Sequence, residues 1–93
     1  MDGSRNGLER MAISKDVLTA HLQGEAVLLH LDTKQYYRLN ETGAAIWRCL
    51  EEGVGLADIA SRLVAEFDVE LATAEAEVQR VLGELRERRL VGP

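Results

Sequence analysis

The apolar residues of this chain change their repeat at Asn40. Before it they come in short runs that suit strands, and after it they recur every three or four residues, as on one face of a helix. A chain that makes its strands first and its helices afterwards is α+β. Its small antiparallel sheet has one face to cover, and the helices that follow must cover it.

Three runs precede the switch: Val17–Leu22, residues 25–31 (EAVLLHL) and Gln35–Leu39 (QYYRL). Gln23-Gly24 separates the first two, and Asp32, Thr33 and Lys34 the last two. Short polar turns between such runs predict a three-stranded antiparallel meander. Side chains alternate along a strand. Gln35, Tyr37 and Leu39 therefore share one face of the third strand, with Tyr36 and Arg38 on the other. Tyr37 and Leu39 are assigned to the core.

Asn40 is a suitable helix N-cap, and Glu41 suits the positive end of a helix. Ala45, Ile46, Cys49 and Leu50 form an apolar stripe flanked by Trp47, and Gly53 supplies a stop. A second helix is expected over residues 56–67, with Leu56, Ile59, Ala60, Leu63 and Phe67 on its apolar face. A third is expected over residues 72–89, its buried stripe marked by Leu71, Ala74, Val78, Val81, Leu82 and Leu85. The expected whole is a three-stranded sheet followed by a three-helix bundle.

The 93 residues allow one domain, and 46% hydrophobic with 29% charged residues is a globular balance. Residues 1–12 are polar and glycine-rich and are read as a flexible tail, which leaves residues 13–91 as the domain. The formal charge of −5 argues against a partner that is a nucleic acid or an anionic membrane. No apolar run approaches the roughly 20 residues that span a bilayer. The opening MDGSRNGLER lacks the apolar core of a secretion signal, so the expected location is the cytoplasm. Cys49 has no second cysteine to pair with.

Catalytic and metal-binding patterns are not found. His21, His30 and Cys49 have none of the close spacings of zinc ligands and read as two partly exposed strand histidines and a small buried thiol. Glu51-Glu52 and Glu75/Glu77 are one and two residues apart, so neither pair shares a helix face. Gly53-Val54-Gly55 separates two helices instead of following a strand, and no serine stands in a nucleophile elbow. The chain is read as a binding protein without cofactor or metal, not as an enzyme.

Tyr36 and Tyr37 permit two readings. They are one surface and one core tyrosine on an ordinary strand, or the strand is an open sheet edge used for recognition. Gln35–Leu39 comes last in the meander, carries no proline, and has only Lys34 and Arg38 as guards.

Residues 29–50 read LHLDTKQYYRLNETGAAIWRCL. Tyr37, Arg38, Leu39, Asn40, Glu41, Thr42 and Gly43, followed by Ile46 and Trp47, resemble the PqqD-like family. So do Asp58, Ile59, Ala60, Leu63, Phe67, Asp68 and Val69, and then Glu77, Val78, Leu82, Leu85, Leu90 and Val91. The resemblance spans about residues 17–91. It implies a winged-helix-like domain that recognises the leader segment of a ribosomally made precursor peptide. The leader adds as a strand to the third strand, in a groove between that strand and the third helix. Carried over, the peptide-binding residues are Gln35, Tyr36, Tyr37, Arg38 and Leu39, with Val78, Val81, Leu82 and Leu85 as groove wall. Helical spacing by itself does not divide those four between groove and core. The YYRLN strand and Ile46-Trp47 look more like the stand-alone leader-binding proteins of lasso-peptide pathways than like the peptide chaperone of the PQQ pathway. That likeness implies a separate cysteine-protease-type leader peptidase as partner, with a cyclase in the same pathway.

The rival reading is a winged-helix nucleic-acid-binding regulator, with the second and third helices as a helix-turn-helix. The third helix sets Arg80, Arg86, Arg88 and Arg89 against Glu75, Glu77, Glu84 and Glu87, so its charges cancel. A structural subunit of a larger enzyme is a third possibility.

Overall fold

The computed structural model describes residues 11–92. In chain order the elements are β1 (Ala12–Ile13), β2 (Val17–Leu22), β3 (Glu25–His30), β4 (Gln35–Leu39), α1 (Glu41–Glu51), α2 (Leu56–Phe67), α3 (Leu71–Glu87) and β5 (Val91–Gly92). The three-stranded antiparallel sheet β2-β3-β4 followed by three helices is the α+β order expected from the change of period, and it is consistent with the winged-helix-like domain that the resemblance implies.

The β2–β3 hairpin closes on Leu22 opposite Glu25, with Gln23 and Gly24 as its loop. Gly24 sits at φ +70°, where a Cβ would also stand 3.0 Å from a Glu41 carboxylate oxygen. Both facts call for glycine. The β3–β4 connection takes four residues and ends with Lys34 at φ +65°, its N–H donating to the His30 carbonyl at 2.7 Å. Leu31 is thus part of the turn rather than of the strand.

Directly paired residues share a sheet face. Thr19, Leu28 and Tyr37 are aligned, as are Ala26 with Leu39 and His30 with Gln35. Ala26, Leu28 and His30 are buried on this inner face, and Tyr37 and Leu39 pack partly buried beside them. α1 lies across it. The Asn40 side chain caps α1 by accepting from the Gly43 N–H at 2.9 Å. α1 ends where Gly53 turns left-handed and Val54 N–H donates to the Cys49 carbonyl, a Schellman stop. Trp47 is more central than its expected flank position. It is fully buried, and its indole N–H donates to Thr19 Oγ1 at 3.0 Å, which ties α1 to β2.

α2 and α3 complete the core through Ile59, Leu63, Ala74, Val78, Val81, Leu82 and Leu85. Leu71, expected in the buried stripe, is 50% exposed, because it opens α3 before the helix reaches its neighbours. α3 also stops at Glu87, short of the expected residue 89. Arg89 takes φ +60°, Leu90 N–H donates to the Leu85 carbonyl, and Arg89 N–H donates to the Arg86 carbonyl. This is again a Schellman stop, here with arginine in the position that glycine usually fills.

A second, two-stranded sheet was not expected. Ala12 pairs with Gly92 and Ile13 with Val91, and Ser14 N–H donates to the Leu90 carbonyl at 2.9 Å. This clasp draws Met11, Leu90 and Val91 into the core. Met11 and Ala12, both in the stretch read as a tail, are thus part of the packed structure. Residues 1–10 of that stretch lie outside the described residues.

Candidate functional site

In the order β2-β3-β4, β4 is paired on one side only among the described residues. Its other edge presents main-chain N–H and C=O groups to whatever lies beside it. Of its two cationic guards, Arg38 is turned away. It lies on the outer sheet face, with Nε 3.3 Å from Oε1 of Glu25 on the neighbouring β3. On the inner face Tyr37 donates its hydroxyl proton to Gln35 Oε1 at 2.7 Å.

The C-terminal half of α3 runs beside this edge. Tyr36, Tyr37, Arg38 and Leu39 on one side, and Glu84, Leu85, Arg88 and Leu90 on the other, enclose a hollow of about 240 Å³. The Arg88 guanidinium stands 5.0 Å from the centre of the Tyr37 ring, a cation–π contact across it. Nearer the start of α3, a smaller and mostly apolar hollow of about 180 Å³ is lined by Thr42, Leu63, Phe67, Val69, Thr73, Ala74 and Glu77. At 3.6 residues per turn, Thr73, Glu77, Glu84 and Arg88 fall on one face of α3. Both hollows therefore border that face. Thr42, which lines the second, is only three residues beyond the end of β4.

Charge along this face is largely neutralised. Arg80 lies 2.6 Å from Glu77 Oε2 and 3.3 Å from Glu84 Oε2. The hydrogen bond from Arg80 holds the Glu77 carboxyl below the usual carboxylate range. Arg88 forms no ion pair among the described residues. A larger hollow of about 520 Å³ at the α1–α2 turn is lined by Glu52, Asp58 and Arg62 among others. It is wide open and touches no strand edge, so size alone does not make it the site.

Residues 25–91 match the family model described as coenzyme PQQ synthesis protein D, PqqD. The chain belongs to the PqqD family. Among solved structures, TbiB1 in complex with the TbiA(beta) leader peptide is 38% identical. The match covers 86% of this chain and 93% of that one, with a TM-score of 0.82. A lasso peptide synthetase B1 complexed with the leader peptide is 28% identical. That match covers 91% of this chain and all 100% of the other, also with a TM-score of 0.82. No curated protein sequence matches. As a PqqD-family member, the chain is thus most informatively compared with the lasso-type proteins.

Within this PqqD-family fold the residues expected to form the site separate into two groups. Tyr36, Tyr37, Arg38 and Leu39 line the hollow, whereas Gln35 does not line it and touches the site through its bond from the Tyr37 hydroxyl. Tyr36 is 71% exposed on the outer face. On α3, Leu85 alone of the four expected wall residues lines this hollow. Val78, Val81 and Leu82 are buried in the core. The rest of the wall is Glu84, Arg88 and Leu90, which the sequence reading did not assign to it. Their signal was available, since Glu84 and Arg88 are one turn apart. Read by charge alone, they looked like a solvated surface. His21 pairs with Glu51 at 3.0 Å, whereas His30 is 3% exposed, not partly exposed as expected. Cys49 is buried as expected, and burial pushes its thiol up from the ordinary value.

No helix among the described residues is long and apolar enough to cross a membrane.

Proposed function

We propose that this protein binds the leader segment of a ribosomally made precursor peptide as an added strand on β4. It then presents that leader to a separate maturation enzyme, a cysteine-protease-type leader peptidase of a lasso-peptide pathway. The observation that carries the reading is the edge of β4, unpaired among the described residues, beside the hollow walled by α3. An extended peptide laid there gains main-chain hydrogen bonds from β4, and its alternate side chains enter the groove. The five residues of β4 span roughly 17 Å. Continuing past Leu39, the peptide would reach the apolar hollow at Thr42, Phe67 and Val69, which suits one aliphatic or aromatic side chain. The two similar proteins solved with leader peptides support the same ligand class. Chemistry belongs to the partner in this scheme, and this chain contributes binding and orientation.

The nucleic-acid reading loses support from the geometry. Arg80, central on the exposed face of α3, is held by two glutamates and has no surplus charge for phosphate.

Amide shift mapping with the TbiA(beta) leader peptide tests the proposal. The largest changes are expected on Gln35–Leu39 and around Glu84 and Arg88. Largest changes on Val17–Leu22, the opposite edge of the sheet, would overturn it.

A further inference from the structure

His30 is a buried polar side chain, and both of its ring nitrogens are engaged. Nδ1 lies 3.2 Å from the Asp32 main-chain nitrogen, which has only a proton to offer. Nδ1 must therefore be the bare, accepting nitrogen. The proton sits on Nε2, which donates to the Arg89 carbonyl at 3.2 Å. One neutral tautomer satisfies both bonds at once.

The two groups it joins adjoin opposite walls of the groove. Asp32 is in the turn that delivers the chain into β4, and His30 itself is paired with Gln35, the first residue of β4. Arg89 stands between Arg88 and Leu90, both of which line the opposite wall. Its backbone is in the left-handed region, an unfavourable conformation for a residue with a Cβ. A buried hydrogen bond to its carbonyl helps to hold it there. A second link between the walls, Arg89 to Asp32 at 3.7 Å, joins two largely exposed side chains and holds little.

We propose that His30 is a positioning residue for leader recognition: through Asp32 N–H and the Arg89 carbonyl it sets the spacing between the β4 edge and the end of α3. This rests on the leader-binding reading. The leader touches β4 and α3, and His30 acts on it only by holding the two apart at the distance one added strand requires. Without the pin, the competent spacing is one of several, and the apparent affinity falls by the fraction of molecules that have it.

Three substitutions separate the two bonds. In His30→Gln the amide nitrogen falls near the position of Nε2 and can still donate to Arg89. His30→Asn keeps an acceptor for Asp32 but does not reach Arg89. His30→Phe fills the space and makes neither bond. With the TbiA(beta) leader peptide in calorimetry, Gln is expected within about threefold of the wild type, and Asn and Phe about tenfold weaker. In the free proteins, amide shifts of Gln35–Leu39 and of residues 88–90 should move in Asn and Phe and return in Gln. Long-range imidazole spectra of the wild type should show the proton on Nε2. The inference is overturned if Gln binds as poorly as Phe while remaining folded, if all three bind like the wild type, or if the proton is on Nδ1. A wild-type protein that binds neither this leader nor any of a displayed library of lasso leaders overturns the leader reading instead. The link between β4 and α3 is then decided by the free-protein spectra.

Discussion

A proline scan through the bound peptide tests the strand-addition geometry most directly. Alternate residues of an antiparallel ladder turn their N–H and C=O to the same side, so the five residues of β4 offer about four to six outward hydrogen bonds. Each contributes a net of about 0.5–1.5 kcal/mol, or about 2–9 kcal/mol together before the cost of ordering the peptide. Proline at a peptide position that donates to β4 removes that bond and leaves a β4 carbonyl unmatched. The cost is about 1–3 kcal/mol, a weakening of about 5- to 150-fold. Proline one residue along, where the N–H points to solvent, should cost far less, so the scan should alternate. Charge should matter little. Arg38 is engaged by Glu25 and Arg80 by Glu77 and Glu84, which leaves Arg88 as the main groove cation. One exposed pair is worth about 1 kcal/mol or less, so raising salt from about 50 to about 500 mM should change the Kd by less than about fivefold. Calorimetry with the TbiA(beta) leader and its proline variants at both salts measures the two effects together. A flat proline scan with steep salt dependence would refute strand addition and favour an electrostatic mode.

Val81→Asp places a carboxylate among the core side chains of α3, at a site 5% exposed. It should cost about 3 kcal/mol or more, and a wild-type melting curve would show that Val81 is not core. Arg89→Gly relieves the left-handed strain while keeping the carbonyl that His30 uses. It should raise stability by about 0.5–1 kcal/mol in urea titration, and a loss would mean that the Arg89 side chain contributes more than its backbone conformation costs. Because burial raises the Cys49 pKa, the unfolded thiol ionises first. The stability associated with the neutral thiol is complete below the unfolded value and is lost as pH rises through about 8.5 towards the folded value. A thiol reagent at pH 8 should accordingly label the native protein slowly and the denatured one fast, and equal rates would contradict the burial of this side chain.

Much of the site's first half could be read from short-range pattern. Alternation along QYYRL placed Tyr37 and Leu39 inward and Tyr36 and Arg38 outward, because adjacent side chains on a strand have no other choice. Asn40 as cap and Gly53 as stop were equally local, each satisfying main-chain groups a few residues away. The second half of the site was less legible. Helical spacing marked Val78, Val81, Leu82 and Leu85 as one stripe, but only the position of β4 decides that Leu85 borders the groove while the others face the core.

The chain's own order of strand and helix periods thus determined the α+β architecture and the strand that would stand at the edge, since both follow from forces acting between near neighbours. The packed structure alone decided three further things: the clasp of Ala12–Ile13 with Val91–Gly92, the full burial of Trp47, and the enclosure of His30. Two-residue strands carry no period, and a residue's burial depends on what is brought opposite it. Thr19 is 28 residues from Trp47, and Arg89 is 59 from His30. Such meetings are set by the closure of the whole chain around its core, which no local window contains.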